Sequence, residues 1–134
     1  MGLEAAVDGL RTTLASMTGL SRTYDDPPES INQFDSLIVY GNFGEMHHSA
    51  AGGHSLHTLI AEIVLDRRIM PQTIDRAKVW PDRAIALLKA DQSLNGSVSH
   101  IVWPVRYRFL PVTYNDIMHF VCRIDVQVKI NESG

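Results

Sequence analysis

Cysteine is almost missing: Cys122 is the one thiol among 134 residues, so no internal disulfide can form. Its apolar neighbours mark it as a small buried hydrophobe of a chain made in a reducing compartment. Long hydrophobic runs are missing too. No stretch approaches the roughly 18 apolar residues of a membrane span. Met1 to Leu20 carries acids and small polar residues where a signal peptide would place its apolar segment. A soluble cytosolic product without a membrane partner is expected. Neither sign of charge dominates: the formal net charge is −3, which excludes nucleic-acid binding through a global positive field and leaves a local basic patch open. Catalytic signatures are equally scarce. No Gly-x-Gly-x-x-Gly or P-loop follows a strand pattern, and Ala51-Gly52-Gly53 lacks the lysine and helix start that a phosphate cradle needs. There is no Gly-x-Ser-x-Gly elbow, and Cys122 has no activating base in its surroundings.

What the chain does contain is alternation. From Ile117 to Ile130, Met118, Phe120, Cys122, Ile124, Val126, Val128 and Ile130 alternate with mostly polar residues. That is a period of two, the mark of a strand with one buried and one wet face. At roughly 3.3 Å per residue it would run about 45 Å, well beyond a usual strand of about 5–6 residues. Such a strand either bends at a bulge or reaches past its own core to meet something else.

The other elements follow in order. Leu3, Val7, Leu10, Leu14 and Met17 are spaced as one apolar helix stripe, with Gly19 as its stop. Ser21 to Ser36, with Pro27-Pro28, forms an ordered non-helical connector whose Asp25 and Asp26 are solvated loop acids. Leu37 to Phe43 is a short apolar strand, Gly41 to His54 a glycine- and histidine-rich turn, and Ser55 to Leu65 a strand apolar on both parities. The last pattern belongs to a central strand or one covered by another chain. Pro81 divides a helical region into segments over 72–79 and 81–90, and Asn95-Gly96 closes a tight turn.

Ser97 to Leu110 is a third long strand, in which Pro104 marks an edge or a bulge. Paired with the last strand through a connector over 111–116, it would set Phe109 near Met118, Tyr107 near Phe120 and Trp103 near Ile124. Those aromatics then belong to the core rather than to an RNA-stacking platform. The opposite face would gather Arg106, Arg108, His119, Arg123 and Lys129, with Asp125 as its one acid. The fold expected is a single α+β domain over 1–134: a mainly antiparallel four-stranded sheet with long strands and helices packed on one face.

His47, His48, His54 and His57 lie within eleven residues, with Glu45 nearby. Zinc needs about four N or S ligands, or three with an open position. The spacing is not His-Glu-x-x-His, so a polar turn whose histidines are solvated or lie at a subunit contact is the better reading, and no metal or cofactor is expected.

This layout resembles the tail-terminator and tail-completion proteins of long-tailed bacteriophages over nearly the whole chain. The likeness runs through the amphipathic helix and Tyr-Asp-Asp-Pro-Pro-Glu-Ser-Ile-Asn (24–32), then the Gly/His turn and His-Thr-Leu-Ile-Ala-Glu-Ile-Val (57–64). It continues through Ala-Leu-Leu-Lys-Ala-Asp-Gln-Ser-Leu-Asn-Gly-Ser-Val (86–98) to the closing strands that end Val-Gln-Val-Lys-Ile. The resemblance implies a sheet with helices on one side and a homo-hexameric ring. That ring caps the head-proximal end of the tail tube, stops its polymerisation and joins the neck. The implied partners are other copies of the chain, the tail-tube protein and the neck connector, with genomic DNA passing through the ring; no catalysis is implied. A head-completion or neck stopper protein is the nearest alternative. A small metal-dependent enzyme using the His47–His57 loop, or a nucleic-acid module using the basic face, would be of a different class. Head-to-tail rings need two complementary surfaces per subunit. The candidate interface residues are Glu45, His47, His48 and His54 of the 41–54 turn and Arg106, Arg108 and Arg123 of the basic face.

Overall fold

The computed structural model describes residues 2–28, 31, 34–49, 52–65 and 75–132. Helix α1 (Leu3–Leu14) is followed by the short strand β1 (Arg22–Tyr24), then β2 (Ser36–Ser49) and β3 (Gly52–Leu65). Helix α2 (Val79–Ala90) precedes β4 (His100–Tyr114) and β5 (Ile117–Glu132). All five strands form one sheet in the order β1-β2-β3-β5-β4, parallel only between β1 and β2. The sheet is therefore five-stranded and mixed, where four mainly antiparallel strands were expected. The added strand lies in the supposed connector: Arg22, Thr23 and Tyr24 pair with Ser36, Leu37 and Ile38. Three residues are too few for a periodicity to show.

Both helices lie on one face. Ala6, Leu10 and Leu14 of α1 and Trp80, Ala84 and Leu88 of α2, each at steps of four, pack on Val39, Ala61, Ile63, Ile124 and Val126. The α1 stripe is narrower than its spacing implied, because Leu3 is 42% exposed and Val7 only partly buried. Pro81 sits in the first turn of α2, where a missing N–H costs nothing. The first of the two expected helical segments is represented by a single turn over 75–77; 72–74 lie outside the described residues. Asp35 ties this region together: its carboxylate accepts from Arg76 Nη2 at 3.0 Å, and its carbonyl accepts the Ser21 amide at 2.8 Å.

The strands run longer than expected at one hairpin and in a different register at the other. β2 and β3 pair continuously from Ser36↔Val64 to Ser49↔Gly52, with a bulge between Gly41 and Phe43, so the turn expected over 41–54 is a two-stranded ribbon. β5 pairs with β3 out to Gly53↔Glu132 and holds the ribbon from its other side. At the opposite end Tyr114 pairs with Ile117 across Asn115 and Asp116, whose φ values are 50 and 62°. This two-residue turn takes positive φ at both positions and replaces the longer connector. Phe109 consequently faces Cys122 and Tyr107 faces Ile124. The register has moved by an even step, so the faces keep the parity expected of them. Pro104 lies both on an edge strand and within the bulge between Val102 and Arg106.

β3 is central, as its double apolar parity required, and its second face is closed by this same chain. Tyr24 and Ile31, with Phe34 against them, cover Ile38, Val64 and Val121. One close approach constrains α1. A Cβ on Gly9 would stand 2.0 Å from Ser97 Oγ and 2.5 Å from the Leu94 carbonyl oxygen, in the 94–97 turn where Leu94, Asn95 and Gly96 all have positive φ. Gly9→Ala gains helix propensity of roughly 1 kcal/mol, but overpacking against backbone costs more. A net loss of at least about 1 kcal/mol is expected in urea denaturation.

Candidate interaction surfaces

The expected histidine loop is built as a ribbon. His47 and His54 are cross-strand partners whose rings stack at 4.7 Å, and His47 Nε2 lies 3.3 Å from Glu45 Oε2. His48 is exposed opposite Gly53. His57 points to the other face, buried, with Nε2 3.0 Å from Ser55 Oγ. Its ring occupies the space over Gly44, where a Cβ would come within 2.5 Å of Nδ1. The four imidazoles thus divide between two faces, and among the described residues no three metal-ligating groups converge. Phe43 and Met46 stand out on the same ribbon, 66 and 81% exposed.

The basic face also divides. Arg123 Nε and Nη2 both donate to Glu62 Oε2, at 2.9 and 2.7 Å, and Tyr114 Oη donates to Glu62 Oε1 at 2.8 Å. Glu62 is 1% exposed. Burial opposes the charge of Arg123, but the hydrogen bond and charge of Glu62 outweigh it and push the pKa up. Arg123 is therefore the internal counter-ion of a buried carboxylate and not part of an open basic patch. His119 is buried as well, beside Phe34 and Tyr114. Arg106 and Arg108 remain exposed on β4, with Asp125 opposite Arg106.

The expectation that the aromatics are core fails for most of them. Tyr107 is 58% exposed and Trp103 and Phe109 each 38%, while Phe120 is half-buried. They have the core parity, but β4 is the outermost strand and is covered only in part, with Pro81, Asp82, Ala84 and Ile85 of α2 lining a small pocket beside Val105 and Tyr107. Phe109 lies against both Tyr107 and Phe120, with ring centroids 5.7 and 6.2 Å apart.

A third surface had no sequence signal of its own. Beyond Ile38 no strand among the described residues lies beside the outer edge of β2, because β1 pairs with it at Ser36–Ile38. An open groove of about 810 Å³ runs there between α1 and the start of the connector. Leu3, Val7 and Val39 form its apolar part, and Glu4, Asp8, Asp25 and Asp26 its acidic rim. Among the described residues Arg11 is the one cation in it, and it is engaged by Asp8 and the Asp25 carbonyl, both at 2.7 Å.

The buried Glu62 network sets two expectations. Glu62→Ala leaves a partly buried guanidinium and the Tyr114 hydroxyl without their acceptor and should cost about 3 kcal/mol, whereas reversing the exposed Arg106 should change stability by less than about 0.5 kcal/mol; thermal melts of both variants compare them. Burial, and then the charge of Glu62, push Tyr40 from 10.0 up to about 12 and raise Tyr114 in the same direction. Burial pushes Cys122 from 9.0 up to about 12. Groups raised on folding contribute stability that is whole below the unfolded pKa and lost as pH climbs. Melting temperature should hold up to a pH near 9.0 and fall progressively toward 12, more shallowly in Tyr40→Phe/Tyr114→Phe.

No protein-family model matches the chain, and no curated protein matches it in sequence. Among solved structures it is similar to a chain from the virion of a native gene transfer agent particle. The two are 15% identical, with a TM-score of 0.40, over 95% of this chain and 94% of that one. The likeness is a distant one of backbone path.

Proposed function

We propose that this chain is a structural virion protein that caps the head-proximal end of a phage tail tube as a homo-hexameric ring, ending tube growth and joining tail to neck without catalysis. The observation that carries the reading is the mismatch between sheet and cover. Strands of 14–16 residues run beneath helices of 12. The β2–β3 ribbon and the β4–β5 hairpin therefore project from opposite ends of one sheet, and among the described residues no strand pairs with the outer edge of β4 or with β2 beyond Ile38. A subunit with contacts to either side, above and below is suited to a ring between two different neighbours. The layout shared with tail terminators points the same way. In this reading the two projecting ends meet the tail-tube protein and the neck connector, and genomic DNA passes through the ring.

The test is to add the purified protein to its tail-tube protein during polymerisation and image the products by negative-stain electron microscopy. Short tubes, each closed at one end by a ring, are expected. Uncapped tubes of unchanged length would overturn the reading in favour of a neck component, which would bind the connector instead. Phe43→Asp/Met46→Asp, on exposed ribbon positions, should reduce capping at least about tenfold if the ribbon is a contact, with little change in the melt.

A further inference from the structure

The two open edges of the sheet differ in a complementary way, and we infer that they join: the β4 edge of one copy seats against the β2 edge and α1 groove of the next. The inference rests on the ring reading and specifies its lateral contact. Pro104 and Pro111 bracket the free stretch of β4. Within it Arg106 and Arg108 carry positive charge while Tyr107 and Phe109 present half-exposed rings toward the helical side. At the other edge the groove is apolar at Leu3, Val7 and Val39 and acidic at Glu4, Asp8, Asp25 and Asp26. Partly covered aromatic rings thus meet an apolar hollow on the helical side, while Arg106 and Arg108, on the other face of β4, bring positive charge to an edge whose rim carries Asp25 and Asp26.

Sheet geometry permits the match. Tyr40, Ile60, Asp125 and Arg106 lie in one row across the sheet, as do Val39, Ala61, Ile124 and Tyr107. The basic and aromatic part of β4 therefore stands level with the floor of the groove. β2 and β4 run in opposite directions, so a neighbour placed in the same orientation brings them together antiparallel, with the helices of both copies on the same side. One edge of each copy is used on either side, which makes the contact heterologous and able to propagate until it closes. β1 caps the lower end of β2 and confines the contact to the strand above Ile38.

The test uses charge-swapped full-length chains and sedimentation velocity across a concentration series. Arg106→Glu/Arg108→Glu and Asp25→Lys/Asp26→Lys alter only exposed side chains. Each alone brings like charges together and should weaken self-association at least about tenfold. Mixed in equal amounts, the two variants restore opposite charges at every junction of an alternating assembly, and association should return. Recovery in the mixture, without association of either variant alone, would establish the contact. If wild type and both variants associate alike, the edges are not the interface; capping is assayed separately. A wild type that stays monomeric throughout the series overturns the edge contact as a self-contact; tube capping, assayed separately, then decides the function.

Discussion

Everything distinctive about this molecule follows from an inequality of lengths. Twelve residues of helix rise about 18 Å, whereas strands of the lengths seen here extend about 45–50 Å. The two helices can therefore bury only the middle of the sheet's first face. The apolar side chains of that middle make the core, with Leu59, Ile63, Ile124 and Val126 fully or almost fully hidden. Where the strands continue, side chains of the same parity stand in water. Met46 and Tyr107 are more than half exposed, and Met118 nearly half. The chain keeps its strands ordered there by pairing them with one another: β5 holds β3 up to Gly53, and a two-residue turn holds the opposite hairpin.

The second face has the opposite problem, for among the described residues no helix covers it. A loop that returns across it buries Ile38, Val64 and Val121 under Tyr24 and Ile31. Farther along, the sheet buries a carboxylate instead. An isolated charge at 1% exposure would be prohibitive, and Glu62 is accommodated by two donated hydrogen bonds from Arg123 and one from Tyr114. Because Arg123 is committed inward, the outward charge of this region rests with Arg106 and Arg108. Polar burial on one strand thereby decides which cations on its neighbours are available to a partner.

Much of this was legible in the residues alone. The alternation of Ile117 to Ile130, the double parity of 55–65 and the proline in 97–110 identified the last strand, the central strand and the edge strand. Helices on a single face followed from the same patterns. What stayed hidden depended on neighbours distant in sequence. β1 exists because Ser36–Ile38 offers it an edge. Asn115-Asp116 is a less familiar pair for a two-residue turn than Asn-Gly, and missing it displaced the hairpin register while preserving its faces. Parity tells which side a residue takes but not whether anything lies above it, so Tyr107 and Phe109 have the parity of the core without its burial. Charge spacing likewise could not show that Arg123 answers to Glu62, sixty-one residues earlier. The groove beside β2 is assembled from α1, the connector and a strand edge, and no single stretch encodes it.

The solitary thiol has a practical meaning. Cys122 is wholly enclosed, and its burial holds the thiolate form back until strongly alkaline pH. Since the thiolate is the reactive species, the folded chain behaves toward alkylating reagents as though it had no cysteine. A single cysteine placed on the surface would be modified alone. Slow labelling of Cys122 itself would then clock the rate at which the sheet parts from its helices, a built-in gauge of opening at the centre of the fold.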